Sequence, residues 1–361
     1  MGKLRTALVG AGKVAHLHAM AHCSLPESEF VGVCGRPSES LQAFADKYHV
    51  PSFQDVGEMV ERAGAQALCV CTPHPNHAAP AISAARAGVH VLVEKPLAST
   101  LADCDAMIAA AQDAGVVIGV VSQRRFYPAC QRIRLALDAG RLGRPVLGTA
   151  TIFGWRDEAY YRSDPWRGTW EREGGGVLVN QSPHQLDLLL WYMGEVEEVF
   201  GYWANLNHPY IEVDDTAVAV VRFKGGALGS IVVSNSQNQG LNARVSVHGS
   251  NGASVGVQTD GGAMFTAGST RIAGSAYNDI WTIPDEETML EGWRRQDAGV
   301  PGDVDPMEYY HRAQVGDFLR AVLSGRPPAV TAADGRRTVE LFTAIYRATR
   351  DGVPVRFPLS A

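Results

Sequence analysis

Short apolar runs recur through the first third of the chain: RTALVG (5–10), FVGVCG (30–35), ALCVCT (67–72), HVLVEK (90–95) and VVIGVV (116–121). Between them lie amphipathic stretches of helical spacing, such as 38–48, 76–87 and 101–114. Strands apolar on both faces and linked by helical crossovers predict a doubly wound parallel sheet. From about residue 145 the pattern changes to TAVAVVRF, ALGSIVVSNS, ARVSVHGS and ASVGVQT, joined by turn signals at Gly225-Gly226 and Asn251-Gly252. These predict antiparallel hairpins. The Gly-, Asp- and Pro-rich stretch 257–306, including NDIWTIP, is expected to be a long capping loop, followed by helices over 308–324 and 334–351 and a final strand in VPVRFP.

The expected fold is therefore α/β: a parallel-sheet domain over 1–124, then an α/β domain over 125–361 with a large open, mostly antiparallel sheet. A length of 361 residues agrees with two domains, because single cores seldom grow beyond about 250 residues. With 46% hydrophobic and 19% charged residues the composition excludes disorder, and a net charge of −6 offers no field for nucleic acid or an anionic membrane. No apolar run approaches the roughly 20 residues of a membrane helix, and MGKLRTALVGAG lacks the layout of a signal peptide, so a cytoplasmic protein is expected. All six cysteines fall in the first 130 residues and read as reduced, mostly packed thiols. A sheet backed by helices on one face leaves the other to be covered, which predicts a homodimer or homotetramer through the second-domain sheet.

The first strand runs into GAGKVA. Gly10 permits a tight turn, Gly12 lets a pyrophosphate approach the backbone, and Ala15 allows close helix packing, with the helix N-terminus facing the phosphates. This is the dinucleotide fingerprint of a Rossmann domain and implies NAD(P). After the second strand, VCGRPSES offers Arg36 and no acid before Glu39. A carboxylate there would bind the ribose hydroxyl of NAD, whereas Arg36 can stack on adenine and pair with a 2′-phosphate, so the reading leans to NADP.

Taken with EKPLAST (Glu94-Lys95-Pro96), TPHPNHA (from Thr72), QRRFYP (Gln123 to Pro128) and GGGVLVNQSPHQLD (Gly174 to Asp187), this motif makes the chain resemble the glucose-fructose oxidoreductase, inositol dehydrogenase and rhizopine catabolism family, Gfo/Idh/MocA, over essentially its whole length. The resemblance implies a nicotinamide lying over the crevice between the domains. It also implies a cofactor site of Gly10, Gly12, Lys13, Val14 and Arg36 with Thr72, Pro73, His77, Glu94 and Lys95. Lys95 would sit beside the nicotinamide and the reacting hydroxyl, and its bond to Pro96 is a candidate for the cis form.

Three glycines followed by polar residues at the head of an apolar helix are poor packing material unless a ligand passes close to that backbone. If 175–192 is helical, Asn180, His184 and Asp187 share one stripe. Pro183 either distorts that helix or begins a shorter one capped by Ser182. The family counterpart of His184 is the general acid/base, a role suited to imidazole in the oxidation of a secondary alcohol. Lys95 would stabilise the developing charge on the same oxygen. Many relatives carry aspartate where this chain has Asn180, so Asn180 is cast as an orienting hydrogen-bonder and any carboxylate-assisted relay is absent. Asp187 reads as structural.

On the substrate side, FGWRDEAYYRSDPWRGTWEREGGG alternates aromatic rings with arginines, a combination that binds sugars. Tyr161, Trp166 and Arg167 are the candidates here, with Arg125 from QRRFYP. His311 is within reach of the same pocket but is not assigned to it, and Asp214-Asp215 is expected to set a strand-entry turn. No metal is expected, because the histidines at 16, 18, 22, 74 and 77 lack a clustered ligand set. The function expected is a hydride-transferring oxidoreductase acting on a carbohydrate or cyclitol, with a redox-assisted glycoside-cleaving enzyme and a non-catalytic sugar sensor as alternatives.

Overall fold

A computed structural model describes residues 2–259 and 275–360. The first unit alternates β1 (Leu4–Val9), α1 (Ala15–Ser24), β2 (Ser28–Cys34), α2 (Glu39–Tyr48), β3 (Ser52–Phe53), α3 (Val56–Ala63), β4 (Ala67–Val70), α4 (Ala78–Arg86), β5 (His90–Val93), α5 (Leu101–Asp113) and β6 (Ile118–Val120). The strands form one sheet in the order β3-β2-β1-β4-β5-β6, parallel throughout, so the crevice between β1 and β4 is the topological switch point. The pattern of apolar runs passes over β3 because two residues carry no period, and α3 sets Val56, Met59, Val60 and Ala63 at helical spacing behind its cap, Asp55, whose side chain accepts from the Glu58 N–H at 3.0 Å.

The chain continues through α6 (Pro128–Asp138), β7 (Pro145–Phe153), α7 (Glu158–Arg162), α8 (Pro183–Met193), β8 (Val196–Ala204), β9 (Thr216–Phe223), β10 (Leu228–Ser234), β11 (Asn242–Gly249), β12 (Ser254–Gln258), β13 (Tyr277–Trp281), α9 (Leu290–Gly299), α10 (Pro306–Ser324), α11 (Ala332–Asp351) and β14 (Val355–Arg356). Eight strands form a second sheet in the order β13-β12-β11-β7-β10-β9-β8-β14, antiparallel except for the β7–β10 pair. The hairpins at Gly225-Gly226 and Asn251-Gly252 are those expected. The capping loop is only partly so: β13 and α9 interrupt its described part, with Trp281 buried against Trp293, and 260–274 lie outside the described residues.

Strict alternation along β9 buries Ala217, Ala219, Val221 and Phe223 toward α8 and α11 and leaves Val218 and Val220 on the opposite, uncovered face. Helix α10 packs on the first unit. Its Val315, Phe318 and Leu319 join Leu8, Val33 and Leu92 in the core of the first unit, so the late chain clamps the parallel sheet. Among the described residues no helix is long and apolar enough to cross a membrane.

Candidate active site

A cleft of about 1370 Å³ runs from the carboxyl ends of β1, β2 and β4 to the floor formed by the residues around α8. Gly10, Gly12, Lys13, Val14, Arg36, Thr72, Pro73, Glu94, Lys95, Trp166, Arg167, Asn180 and His184 all line it. The two fingerprint glycines differ in kind. A Cβ on Gly10, at φ +101°, would lie 2.8 Å from the Cys71 carbonyl, so the turn needs glycine for its own packing. A Cβ on Gly12 would meet no protein atom within 4 Å, which leaves open space where a pyrophosphate approaches the N-terminus of α1. The residues present therefore fit a dinucleotide. Arg36 stands exposed on the rim at the end of β2, and Lys13 bridges the units through Asp164, 3.3 Å away.

Three of the expected residues point elsewhere. Arg125 is buried and committed to Asp187 and Asp334, so it offers nothing to a substrate. Tyr161 lies in a small core with Ile211 and Val213, its hydroxyl accepting from Asn235 at 3.2 Å; its neighbour Tyr160 faces the cleft instead. His77 is fully buried, bonded to the Thr72 carbonyl at 2.8 Å and the Pro96 carbonyl at 3.0 Å. It braces Thr72-Pro73 against the Lys95-Pro96 bond, which is cis, rather than meeting a cofactor itself.

The three glycines before α8 have a packing reason, not a ligand one. A Cβ on Gly176 would fall 1.8 Å from the Asp214 carbonyl, one on Gly175 2.4 Å from the Tyr346 hydroxyl, and one on Gly174 2.7 Å from Ser99. Asp214 is the anchor, accepting from the N–H groups of Gly176 at 2.7 Å and Leu178 at 3.0 Å and from Tyr346 at 2.6 Å. The chain then makes one π turn over Val177–Gln181, in which the Ser182 N–H reaches back to Val177. Pro183 has no N–H to give Val179, so the wider turn absorbs its ring and α8 begins there. Ser182 is not a side-chain cap; its hydroxyl donates to the Leu178 carbonyl at 2.8 Å.

This local geometry presents Asn180 and His184 to the cleft. Lys95 Nζ donates to the Asn180 main-chain oxygen at 2.7 Å and lies 3.5 Å from its Oδ1. Burial lowers the Lys95 ammonium to about 8; Arg124 and Arg167 push the same way, while Glu94 and Glu173 oppose them. His184 is held well below its usual range by burial, then by Arg124 and Lys95, so its imidazole is neutral, and its Nδ1 is buried without a hydrogen-bond partner among the described residues. Burial alone would raise the Glu94 carboxyl, but hydrogen bonding from His18 and His311 holds it well below the carboxylate range.

Sequence reasoning missed several neighbours. His18, Glu94 and His311 bring their ligand atoms within 4.8 Å of one another although they come from α1, the end of β5 and α10; spacing along the chain carries no sign of this. In the structure they form a buried polar cluster, with His18 Nε2 2.8 Å and His311 Nε2 3.7 Å from Glu94 Oε1. His74, Arg124 and Arg156 also line the cleft. The TPHPNHA motif contains His74 beside the expected Thr72 and Pro73, and QRRFYP contains Arg124 beside Arg125, so the segments were legible and these two members were not.

Comparison with known proteins matches residues 4–122 to an oxidoreductase family with an NAD-binding Rossmann fold and residues 130–255 to the GFO/IDH/MocA C-terminal domain. The chain is 28% identical to myo-inositol 2-dehydrogenase of Thermotoga maritima, covering 96% of this chain and 97% of that one. It is 30% identical to 1,5-anhydro-D-fructose reductase of Ensifer adhaerens, over 96% and 97%. Among solved structures, the WlbA dehydrogenase from Bordetella pertussis in complex with NADH and UDP-GlcNAcA superposes with a TM-score of 0.86 at 31% identity, covering 99% of each chain.

Proposed function

The chain belongs to the GFO/IDH/MocA family of NAD-binding oxidoreductases, and from that premise we propose that it moves a hydride between NAD(P) and a secondary hydroxyl or keto group of a sugar, cyclitol or glycoside. The observation that carries this reading is the convergence of Lys95, Asn180 and His184, from distant segments, on the floor of a cleft whose roof is the dinucleotide loop. Gly10, Gly12, Lys13 and Val14 would hold the pyrophosphate, Arg36 the adenosine end, and Thr72, Pro73, Glu94 and Lys95 the nicotinamide end. The cofactor, when bound, supplies the acceptor or donor of the hydride.

The chain's own residues supply the rest. Lys95, fixed at the Asn180 carbonyl, hydrogen-bonds the reacting oxygen and stabilises the charge that develops there. The neutral imidazole of His184 takes the proton from that oxygen in oxidation and returns it in reduction. Trp166 offers a flat apolar face to a sugar ring, and Arg167 and Arg156 on the cleft wall suit a substrate bearing an acidic group, such as the sugar nucleotide of the Bordetella structure.

Arg36, with no carboxylate between 34 and 38 and with Asp55 committed to capping α3, supports a preference for NADP over NAD. The uncovered face of the second sheet supports pairing of two or more copies. Six cysteines without a disulfide support a reducing, cytoplasmic setting.

A panel of sugars, inositols, glycosides and sugar nucleotides, assayed with each cofactor by the absorbance of reduced nicotinamide, tests the assignment. Turnover with at least one polyol, lost in His184→Ala while cofactor binding survives, is the expected result; full turnover in that variant overturns the acid/base role.

A further inference from the structure

A buried carboxylate directly behind Asn180 takes no part in this mechanism. Glu173 is 1% exposed and lies in the wall behind Asn180. Its Oε2 accepts from the Gly168 N–H at 2.5 Å and its Oε1 from Asn180 Nδ2 at 2.5 Å. On its other side Asn180 presents its main-chain oxygen and Oδ1 to Lys95. A primary amide has a donating and an accepting end, and an ionised carboxylate only accepts. Glu173 thus decides which end of the Asn180 amide faces inward and which faces the ammonium. The other contact of Nδ2, the Tyr160 hydroxyl at 3.2 Å, both donates and accepts and cannot make that choice.

We propose that Glu173 is a positioning residue for Lys95. It acts through Asn180, turning the side-chain amide so that Oδ1 joins the main-chain oxygen in facing the ammonium and supplying, one layer behind the cleft, the negative charge that asparagine itself lacks. The inference rests on the reading of Lys95 as the group that holds the substrate oxygen. The surrounding charges agree with it. Lys95 is faced by Glu94, Arg124, Arg167 and Glu173, and Glu173 by Arg167 and Asp214. Burial raises the Glu173 carboxyl to about 7 against the hydrogen bonds from Gly168 and Asn180, so its charge is sensitive to what Asn180 donates.

Exchange of the two functional groups tests the proposal. Glu173→Gln removes the charge and sets one amide donor against another. Turnover should fall about tenfold with KM for the cofactor unchanged, the loss expected of one charge-assisted hydrogen bond. The double variant Glu173→Gln/Asn180→Asp restores the donor–acceptor pairing in reverse and sets a carboxylate next to Lys95, so turnover should recover. Glu173→Asp, which keeps the charge, serves as a folding control.

The readout independent of activity is the pH dependence of Lys95 acylation by acetic anhydride in the cofactor-free protein, followed by peptide mass spectrometry. Its midpoint should move down by about one unit in Glu173→Gln and return in the double variant. An unmoved midpoint overturns the proposal. A moved midpoint with unchanged turnover upholds the coupling of Glu173 to Lys95 and instead removes Lys95 from the reaction.

Discussion

Arg125 holds Asp187 in a two-pronged grip, Nε donating to Oδ2 at 2.8 Å and Nη2 to Oδ1 at 2.6 Å, with both side chains buried. Asp334 at the N-terminus of α11 lies 3.4 Å from the same guanidinium. One cation therefore ties the segment before α6 to α8 and α11, and His184 sits one helical turn before Asp187. Asp187→Ala leaves that guanidinium buried with Asp334 alone and should cost about 3–5 kcal/mol, read as a lowered urea midpoint. Asp187→Asn, which keeps the shape and one acceptor, should cost less. A midpoint equal to wild type in the alanine variant would show that Asp334 suffices.

The pH profile of oxidation follows from the two groups on the cleft floor. His184 is held neutral well below its usual range, so it should impose no acid limb near 6.5. Lys95 titrates at about 8, and turnover should fall as pH rises through that value because the neutral amine no longer stabilises negative charge on the substrate oxygen. The sign for stability is opposite. The folded pKa of Lys95 lies below the unfolded 10.5, so between about 8 and 10.5 the unfolded chain binds more protons and this group makes folding more favourable as pH rises. Initial rates from pH 5 to 10 in overlapping buffers check the first statement, and a wild-type limb near 8 that persists unchanged in Lys95→Ala would contradict it.

How far the sequence foretold this site depends on how local each signal is. Gly10 and Gly12 line the cleft as their strand period and turn chemistry, written in a few neighbouring residues, lead one to expect, and Lys95 lines it as the family resemblance implies. The outward alternation of β9 and the Gly225-Gly226 hairpin were legible for the same reason. Arg125, Tyr161 and His77 lie off the cleft because residue type says nothing of which partner a side chain finds across the fold; Asp187, Asn235 and the Pro96 carbonyl claim them from 62, 74 and 19 residues away. A ligand close to the backbone is the expectation for the glycines at 174–176, whereas the crowding comes from Asp214, Tyr346 and Ser99, which no spacing relates to them. Glu173 and the His18–Glu94–His311 cluster are invisible without the topology.

The proposed preference for NADP rests on Arg36. It stands at the rim of the cleft at the end of β2, and Asp55, an acid lining the same cleft, is spent on the first turn of α3. A guanidinium there gains a charge-assisted pair with a 2′-phosphate that a 2′-hydroxyl does not offer, about 1.5–3 kcal/mol or roughly a tenfold to hundredfold difference in affinity. Arg36→Ala should weaken NADP by that factor and NAD by far less, measured by quenching of protein fluorescence with each nucleotide. Equal losses would mean that the arginine only stacks on adenine.

The uncovered face of the second sheet carries Tyr202, Val218, Val220 and Leu228, exposed at 64%, 45%, 59% and 56% of their surface. They form a patch by register: Val218 lies opposite Tyr202 on β8, and Leu228 opposite Leu147 on β7. Exposed ion pairs of Glu198 with Arg222 and Arg356 stand at its β8 side, giving a polar rim beside an apolar centre. Because β9 alternates, Val218→Asp and Val220→Asp change this face without touching Ala217, Ala219 or Val221 beneath it. Two aspartates on the patch should leave the unfolding midpoint near wild type while lowering the mass seen by light scattering to that of a single chain. Retention of a larger assembly in the double variant would exclude this face as the contact between copies.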